Sequence, residues 1–221
     1  MRVNLASGAP AELVIPKAPT RGLVLAPDIM GLRPLFDELC ARLAAQHQWA
    51  VCAPEPFPGH EDFSFEQRFA FMPQVTDDER LGDLLAAADL LERVADVKRV
   101  AVLGFCMGGM YTLKAAGTGR FDRAVAFYGM LATPADWKGD GHGEPLDWLS
   151  KPSPTKALAI VGGRDTFTPP EDVAGLRALG DRVEMAFYPE AEHGFVHDPA
   201  RPAHRRDDAA DAWARAVAFL A

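Results

Sequence analysis

The sequence has little of what builds disulfide frameworks, zinc sites or membrane spans. Its 221 residues include three cysteines, Cys40, Cys52 and Cys106, an odd number without the short spacings of metal sites or disulfide scaffolds. No stretch approaches the roughly 18 consecutive apolar residues of a transmembrane helix. The N-terminus also lacks the basic region and apolar run of a signal peptide. These absences predict a reduced, cytoplasmic protein without a membrane partner.

Basic charge is in deficit as well. Lysine and arginine number 23 against 31 aspartates and glutamates, which gives a formal net charge of -8. Binding to nucleic acid depends on clustered basic side chains, so we expect no nucleic-acid partner. The length and the 48% content of hydrophobic residues are ordinary for a globular chain. We therefore expect one domain over residues 1–221, as a monomer or a homodimer.

Short apolar runs alternate with helical patterns from residue 22 onward. We predict strands at 22–26, 49–53, 99–103, 124–128, 157–161 and 183–188, and helices at 34–46, 77–94, 170–179 and 207–220. Apolar strands without alternation are typical of a parallel sheet that is covered on both faces. The pattern therefore predicts an α/β fold with a mostly parallel sheet. Residues 1–17 form either an edge hairpin or a single N-terminal strand.

The most informative stretch is the turn that follows the strand at 99–103. It has the sequence GFCMGG at 104–109, and a helix is predicted from Met110 onward. A cysteine between glycines on a strand-to-helix turn matches the nucleophile elbow G-x-S-x-G, with cysteine in the place of serine. The N-terminus of a helix can stabilise a thiolate and bind an oxyanion. Cys106 is therefore a candidate nucleophile, and a buried structural cysteine beside a tight turn is the alternative.

Two phosphate-binding loops also connect a strand to a helix. A dinucleotide-binding loop requires G-x-G-x-x-G, whereas the glycines here are spaced G-x-x-x-G-G. A P-loop requires G-K-[ST], which does not follow. The spacing argues against the first loop and excludes the second.

A nucleophilic cysteine needs a base and a carboxylate that orients the base. Residues just past the ends of parallel strands converge at one edge of the sheet, where ligands bind. Cys106, Asp165 and His193 each stand at such an end, in the order nucleophile, acid and base that α/β-hydrolases show. Taken singly, Asp165 fits a turn residue and His193 an ordinary loop histidine. Their joint placement predicts a catalytic triad.

Two further segments bear on a substrate pocket. Residues 63–72 are rich in phenylalanine and predict a short helix whose aromatic side chains face either the core or a pocket. Residues 133–154 form the longest irregular segment, which is polar and rich in glycine and proline. Long loops in compact domains are often lids or binding loops, and a surface insertion without such a role is the alternative.

With these motifs the chain resembles the dienelactone hydrolase family of α/β-hydrolases, over about residues 23–220. The resemblance rests on GFCMGG at 104–109, GGRDTFTP at 162–169 and AEHGF at 191–195. It implies an α/β-hydrolase fold, with helices on both faces of a mostly parallel central sheet. It implies Cys106 as nucleophile, His193 as base and Asp165 as the partner of the base. It also implies an oxyanion hole made by the backbone N–H groups of Ile29 and Met107, and no metal or organic cofactor.

Two positions depart from the family's pattern. Well-known members carry a glutamate, which helps to generate the thiolate, where Asp28 stands. Asp28 keeps the charge but is one methylene shorter. Such members also bind a substrate carboxylate through arginines, one of them four residues after the base, where this chain has His197. The resemblance therefore favours an ester, a lactone or another activated acyl compound over an acidic dienelactone.

The leading hypothesis is a cysteine-dependent hydrolase that cleaves a small-molecule ester or lactone through a covalent acyl-enzyme. Its candidate substrate-binding residues are Tyr128, Phe195, His197 and Arg68. Two other functions stay open. The changed glutamate and arginine positions fit a binding scaffold that turns over little. An exposed cysteine with a low pKa oxidises readily, so a redox-sensing thiol is the third hypothesis.

Overall fold

A sheet of eight strands forms the centre of the structure, a computed structural model that describes residues 1–221. In chain order the strands are β1 Arg2–Asn4, β2 Pro10–Val14, β3 Arg21–Ala26, β4 Trp49–Pro54, β5 Val100–Phe105, β6 Arg123–Phe127, β7 Lys156–Gly162 and β8 Val183–Tyr188. Their order across the sheet is β1-β2-β4-β3-β5-β6-β7-β8. The six strands predicted after residue 22 all form, each within two residues of its expected bounds.

The sheet is parallel except at its first edge. Strands β3 to β8 run in one direction, whereas β2 is antiparallel to β4 and β1 is antiparallel to β2. The N-terminal segment is therefore an edge hairpin, one of the two alternatives that its sequence allows. Because β4 and β5 lie on opposite sides of β3, the winding reverses between β3 and β5. Ligands of open α/β sheets bind in the crevice at the carboxyl ends of strands at such a point.

Seven helices cover the sheet. They are α1 Pro34–His47, α2 Phe65–Phe71, α3 Asp77–Ala95, α4 Met107–Ala116, α5 Pro145–Ser150, α6 Pro170–Ala178 and α7 Arg206–Leu220. Helices α1 and α7 pack on one face, and α3 to α6 pack on the other. None of the seven combines the length and the apolar character that crossing a bilayer requires. The layered α/β architecture predicted from the sequence is confirmed.

The pleat of the strands separates two hydrophobic cores. In β3, Leu23 and Leu25 join the core under α1 and α7, whereas Val24 and Ala26 join the core on the opposite face. All six residues of β3 are buried. Burying a leucine or valine side chain contributes about 1.5–3 kcal/mol, so both faces of such a strand favour a covered position. That is the physical reason why its continuous apolar run predicts a central strand.

Residues 133–154 are more regular than their composition indicates. The segment contains a short 3-10 helix, Ala135–Trp137, as well as α5, so the expectation of one long irregular loop is wrong. The carboxylate of Asp77 in α3 accepts hydrogen bonds from the Gly143 N–H at 2.8 Å and from the Trp148 indole N–H at 3.2 Å. Lys114 of α4, which is fully buried, pairs with the same carboxylate at 2.6 Å. One buried carboxylate thus fixes the segment to two helices of the core.

The variant Lys114→Met tests this anchor. Removing one partner of a buried ion pair leaves the other charge uncompensated, which costs about 3–5 kcal/mol. Because Asp77 keeps its bonds from Gly143 and Trp148, we expect a loss of about 3 kcal/mol in the free energy of unfolding, measured by urea denaturation. The double variant Lys114→Met/Asp77→Asn also replaces the unpaired carboxylate with a neutral amide, so it should recover part of that loss. A loss under about 0.5 kcal/mol, the range of ordinary surface changes, would contradict the anchor.

Candidate active site

Cys106 lies on a strained turn between β5 and α4. Its backbone has φ 55° and ψ −120°, in a region that residues other than glycine rarely adopt. Holding a residue there costs on the order of 1–3 kcal/mol, and such strain clusters at functional sites. The side chain is only partly buried. The turn therefore presents the sulfur at the carboxyl edge of the sheet, beside the point where the winding reverses.

Two glycines of this turn permit very close backbone contacts. A Cβ at Gly104 would lie 2.2 Å from the carbonyl oxygen of Gly108, and would separate β5 from α4. A Cβ at Gly108 would lie 2.2 Å from the carbonyl oxygens of both Ala26 and Pro27. The first turn of α4 therefore rests directly on the loop after β3. The two glycines thus allow α4 to pack closely against β5 and the loop after β3, while the unfavourable backbone conformation falls on the cysteine between them.

His193 and Asp165 form a hydrogen-bonded pair at the same edge of the sheet. They follow β8 and β7, and Nδ1 of His193 lies 2.8 Å from Oδ2 of Asp165. The other carboxylate oxygen accepts a hydrogen bond from the Phe167 N–H at 2.8 Å. The Asp165 side chain is fully buried, whereas that of His193 is 13% exposed. The fixed carboxylate can therefore orient the imidazole and keep a proton on Nδ1.

The charges around His193 favour its protonated form. Burial opposes the charge, but the Cys106 thiolate and the Asp165 carboxylate together raise the pKa of His193 to about 10. Its Nε2 is buried and makes no hydrogen bond of good geometry. Catalytic hydrogen bonds are often long or poorly aligned until substrate binds. The surroundings of His193 thus favour an imidazolium beside the sulfur of Cys106.

Two backbone N–H groups are placed to bind an oxyanion beside the cysteine. Met107 is the first residue of α4, where an N–H has no acceptor within the helix. Ile29, in the loop after β3, donates its N–H to no other group of the chain, and it lines the same cavity as Cys106. Gly108 brings the two segments that carry these groups into direct contact.

Cys106 and His193 open into a cavity of about 380 Å³. Aromatic side chains from three segments form much of its apolar wall: Phe65, Phe69, Trp137 and Phe167. Charged side chains form another part of the wall: Asp28, Arg33, Asp198 and Arg201. A mostly apolar cavity with a few convergent polar groups is the usual form of a small-molecule site. No three His, Cys, Asp or Glu side chains are grouped so as to hold a metal ion.

Comparison with known proteins places this site in a family. The chain matches the "Dienelactone hydrolase family" over residues 10–221. It is 31% identical over 229 residues to a "Putative carboxymethylenebutenolidase" of Salmonella typhimurium, which covers 96% of this chain and 82% of that protein. The crystal structure of a "Putative Dienelactone Hydrolase" from Klebsiella pneumoniae is 27% identical and superposes with a TM-score of 0.86, over 99% of this chain and 96% of that one.

The chain belongs to the dienelactone hydrolase family. Membership makes it an ester or lactone hydrolase with the α/β-hydrolase fold, and both statements agree with the predictions from sequence. Another relative, a "Probable 2-oxo-3-(5-oxofuran-2-ylidene)propanoate lactonase" of Bradyrhizobium sp, is 28% identical over 208 residues, which is 90% of this chain and 82% of that protein.

Asp28, at the position of the family's glutamate, lines the cavity but binds groups other than the thiol. Its Oδ1 accepts hydrogen bonds from the Met30 N–H at 3.0 Å and from Arg33 at 2.7 Å. Its Oδ2 accepts from Arg33 at 2.8 Å and is bonded to His197 Nε2 at 2.9 Å. Burial would raise the pKa of Asp28, but the hydrogen bonds from His197 and Arg33 lower it well below its usual range. Asp28 is therefore an anion with its acceptors in use, and Cys106 is not among its partners.

Arg68 and Phe195 lie outside the cavity, which corrects their assignment to substrate binding. The Arg68 guanidinium is 2% exposed and pairs with Glu55 at 3.0 Å, so it neutralises a buried carboxylate. It also donates to the Glu61 carbonyl at 2.7 Å. Phe195 is fully buried and packs against Tyr128, with ring centroids 5.7 Å apart. Neither side chain has a surface that a substrate could touch.

Tyr128 and His197, the other two candidates for substrate binding, also lie behind the cavity wall. The Tyr128 side chain is fully buried, and its hydroxyl is bonded to Nδ1 of His197. The imidazole of His197 is likewise buried and is bonded to Asp28. These two residues therefore contact the site's own side chains rather than a bound molecule.

Several cavity residues carry no motif in the sequence. The alternatives for the aromatic side chains of residues 63–72 both hold, because Phe65 and Phe69 line the cavity while Phe71 packs against the core. Trp137 lines the cavity too, so residues 133–154 contribute to the binding surface. Arg201 also lines the cavity, and the only related feature of the sequence is Gly194. Gly194 has a φ of 80°, and its missing Cβ leaves room for the Arg201 guanidinium.

The two remaining cysteines are core residues, as the sequence predicts. Cys40 lies in α1 and Cys52 lies in β4, and neither is exposed. Burial raises the pKa of both thiols. Neither is placed to resolve an oxidised Cys106, which weighs against a redox-sensing function.

Proposed function

We propose that the protein hydrolyses small-molecule esters, lactones or other activated acyl compounds through a covalent acyl-enzyme on Cys106. One observation carries the proposal: a cysteine on a strained turn shares a cavity with a histidine whose Nδ1 lies 2.8 Å from the buried carboxylate of Asp165. Family membership supplies the class of reaction. The geometry supports the assignment of roles to individual residues.

In the first half-reaction the sulfur of Cys106 attacks the acyl carbon. The carbonyl oxygen gains negative charge, and the N–H groups of Ile29 and Met107 donate hydrogen bonds to it. One such donor is worth about 2.7–4 kcal/mol in the transition state. His193 gives its Nε2 proton to the leaving oxygen as the carbon–oxygen bond breaks. The products are a thioester on Cys106, a neutral imidazole and an alcohol, which remains attached to the acyl group when the substrate is a lactone.

The second half-reaction uses the same histidine as a base. Among the charges that raise the pKa of His193, that of the Cys106 thiolate has the largest effect. Acylation removes this charge, so the pKa of His193 falls and the imidazole can accept a proton. It takes a proton from water, whose oxygen attacks the thioester carbon. The carboxylic acid leaves, Cys106 becomes a thiolate again, and the proton is back on His193.

The cavity supports a substrate with an apolar part and an anionic part. Arg33 is paired with Asp28, whereas no carboxylate lies within 4.0 Å of the Arg201 guanidinium. Asp198 lines the same wall, but its Oδ1 accepts the Ala200 N–H at 2.9 Å. Arg201 is thus a cation that a substrate carboxylate can meet. The Bradyrhizobium relative is described as a lactonase for a compound that carries a carboxylate, which supports extending the substrate class to acidic lactones.

No observation favours a binding scaffold over an enzyme. The scaffold hypothesis rests on Asp28 and His197 replacing a glutamate and an arginine. In the structure these two residues are bonded to each other at 2.9 Å, and the groups proposed for acyl transfer remain in place beside them.

The first test is acylation of the cysteine by p-nitrophenyl acetate. We expect turnover by the wild type, and a loss of at least about 10³-fold in Cys106→Ala, because the nucleophile is removed. Intact-mass measurement on quenched samples should find one acetyl group on the wild type and none on Cys106→Ala. Cys40→Ala, which removes a core thiol, is the matched control and should keep both turnover and adduct. Equal turnover by wild type and Cys106→Ala would overturn the proposal.

The pH dependence follows from the charge on His193. With its pKa raised to about 10, the imidazolium is present below that pH and is lost above it. An alkoxide leaving group needs this proton and p-nitrophenolate does not. We therefore expect kcat/KM for ethyl acetate to fall as the pH rises through about 10, while kcat/KM for p-nitrophenyl acetate persists. Because the Asp165 carboxylate helps to raise this pKa, Asp165→Asn should move the fall to lower pH, and a move to higher pH would contradict the assignment.

Arg201 can be tested with two esters that differ in acyl charge. In Arg201→Gln, KM for mono-p-nitrophenyl succinate should rise about 10-fold or more, since a hydrogen bond to a charged group is worth about 1.5–3 kcal/mol. KM for p-nitrophenyl acetate should stay within about twofold, the scatter expected where no contact is lost. Arg205→Gln, which removes an exposed guanidinium outside the cavity, should change neither value. Equal changes for both esters in Arg201→Gln would exclude a carboxylate contact.

A further inference from the structure

Behind the cavity, a chain of hydrogen bonds connects three of the loops that form the site. The Tyr128 hydroxyl is bonded to Nδ1 of His197, Nε2 of His197 lies 2.9 Å from Asp28, and Asp28 pairs with Arg33 at 2.7 Å. We call these four residues the polar chain. Tyr128 follows β6, Asp28 follows β3, and His197 lies in the loop after β8 that also carries His193.

His197 is held in one orientation from every side. Its side chain has no exposed surface, and its ring lies 5.8 Å from that of Phe36 and 4.9 Å from that of Phe105. Both ring nitrogens have a partner within the protein. A buried imidazole that is fully bonded at both nitrogens can neither rotate nor exchange partners without leaving a polar group unsatisfied.

The ionisation of Asp28 sets the direction of its bond with His197. Burial raises the pKa of Tyr128 well above its usual value, so the phenol keeps its proton, and its hydroxyl is bonded to Nδ1 of His197. Asp28 is ionised and only accepts, so Nε2–H of His197 donates to it. The Arg33 guanidinium matches the charge of the buried Asp28 carboxylate, so the polar chain leaves no unpaired carboxylate in the interior.

The polar chain contacts two parts of the proposed site, the turn that carries Ile29 and the ring of His193. At one end, the Asp28 side chain accepts the Met30 N–H at 3.0 Å and its carbonyl accepts the Gly31 N–H at 2.9 Å. These bonds fix the turn that presents the N–H of Ile29. At the other end, the Tyr128 ring meets the His193 ring edge-on, with centroids 5.3 Å apart. Tyr128 holds this place with a φ of 38°, which a tyrosine rarely adopts.

We propose that His197 is a positioning residue for acyl transfer, which holds the Ile29 turn through Asp28. This inference rests on the proposed function and adds to it. It assigns Asp28 to the oxyanion side of the site, in place of the thiol activation that the family resemblance implies. The two roles differ in one measurable respect, because oxyanion binding is needed for attack on a carbonyl and is not needed for alkylation of the thiol.

The experiment compares His197→Phe with His197→Gln. Phenylalanine keeps a ring between Phe36 and Phe105 but has no polar atom, whereas glutamine keeps a donor for Asp28 and an acceptor for Tyr128. Three quantities are measured for each variant: kcat and KM for p-nitrophenyl acetate, the rate of alkylation by iodoacetamide, and deuterium exchange of the segment 27–33. Arg21→Met is the control for lost stability, because its buried ion pair with Asp122 lies at the amino ends of β3 and β6, at the opposite edge of the sheet from the site.

In His197→Phe we expect kcat to fall about 10- to 100-fold with KM nearly unchanged, since misplacement of a reacting group by about 1 Å costs about that much. The alkylation rate should stay within about twofold, the segment 27–33 should exchange faster, and His197→Gln should restore most of kcat. Arg21→Met should keep its kcat despite lower stability.

An unchanged kcat in His197→Phe would overturn the proposal. A fall in alkylation parallel to the fall in kcat would also overturn it, and would return Asp28 to thiol activation. If the wild type itself shows no acyl transfer, the proposed function fails. The exchange of segment 27–33 in His197→Phe then decides separately whether His197 holds the Ile29 turn, and unchanged exchange there rejects that role.

Discussion

The contact between the first turn of α4 and the loop after β3 is the constraint on which the site depends. Gly108 lets the carbonyl oxygens of Ala26 and Pro27 approach to a distance that any side chain would block. Every residue of α4 from Met107 to Ala116 is buried, so the helix cannot move away to relieve the turn that precedes it. The strain at Cys106 is therefore maintained by burial of a whole helix, whose apolar contacts far exceed the few kcal/mol that one unfavourable φ costs. The same contact joins the two segments that carry Ile29 and Met107, so the proposed nucleophile and the proposed oxyanion site depend on one packing arrangement.

Buried carboxylates organise the loops around this contact. Each is matched by a cation or a histidine from another part of the chain: Asp28 with His197, Glu55 with Arg68, Asp77 with Lys114, and Asp165 with His193. Buried ion pairs add little net stability because desolvation offsets their attraction, yet breaking one is costly. Their effect is consequently on position. A loop that must keep such a pair intact has few alternative conformations, and the parts of the site that sit on loops gain the precision that helices and strands give elsewhere.

The sequence predicts the sheet and the three residues of the proposed triad for the same reason. Strands buried on both faces are apolar throughout, and the residues that follow them converge because parallel strands end together. The roles of single polar side chains are set by partners far away in sequence, which no local pattern reveals. Arg68 resembles a pocket arginine until Glu55, 13 residues earlier, is seen to neutralise it. His197 and Asp28 are 169 residues apart, and only the folded chain shows their bond. Residues 133–154 look irregular because their order comes from Asp77 rather than from their own composition.

The two departures from the family's pattern are partners in one hydrogen bond, and this changes how they are understood. Taken separately, a shorter acid at Asp28 and an imidazole in place of a guanidinium at His197 each depart from the glutamate and arginine that the resemblance implies. Taken together, they make a bond of 2.9 Å in the interior, while Arg33 supplies the cation that Asp28 needs. A glutamate at position 28 alone would bring a longer acid against the imidazole of His197, which already fills the space. An arginine at position 197 alone would add a second cation beside Arg33. The two residues therefore act as one unit, in which His197 and Arg33 hold Asp28 to the turn that carries Ile29.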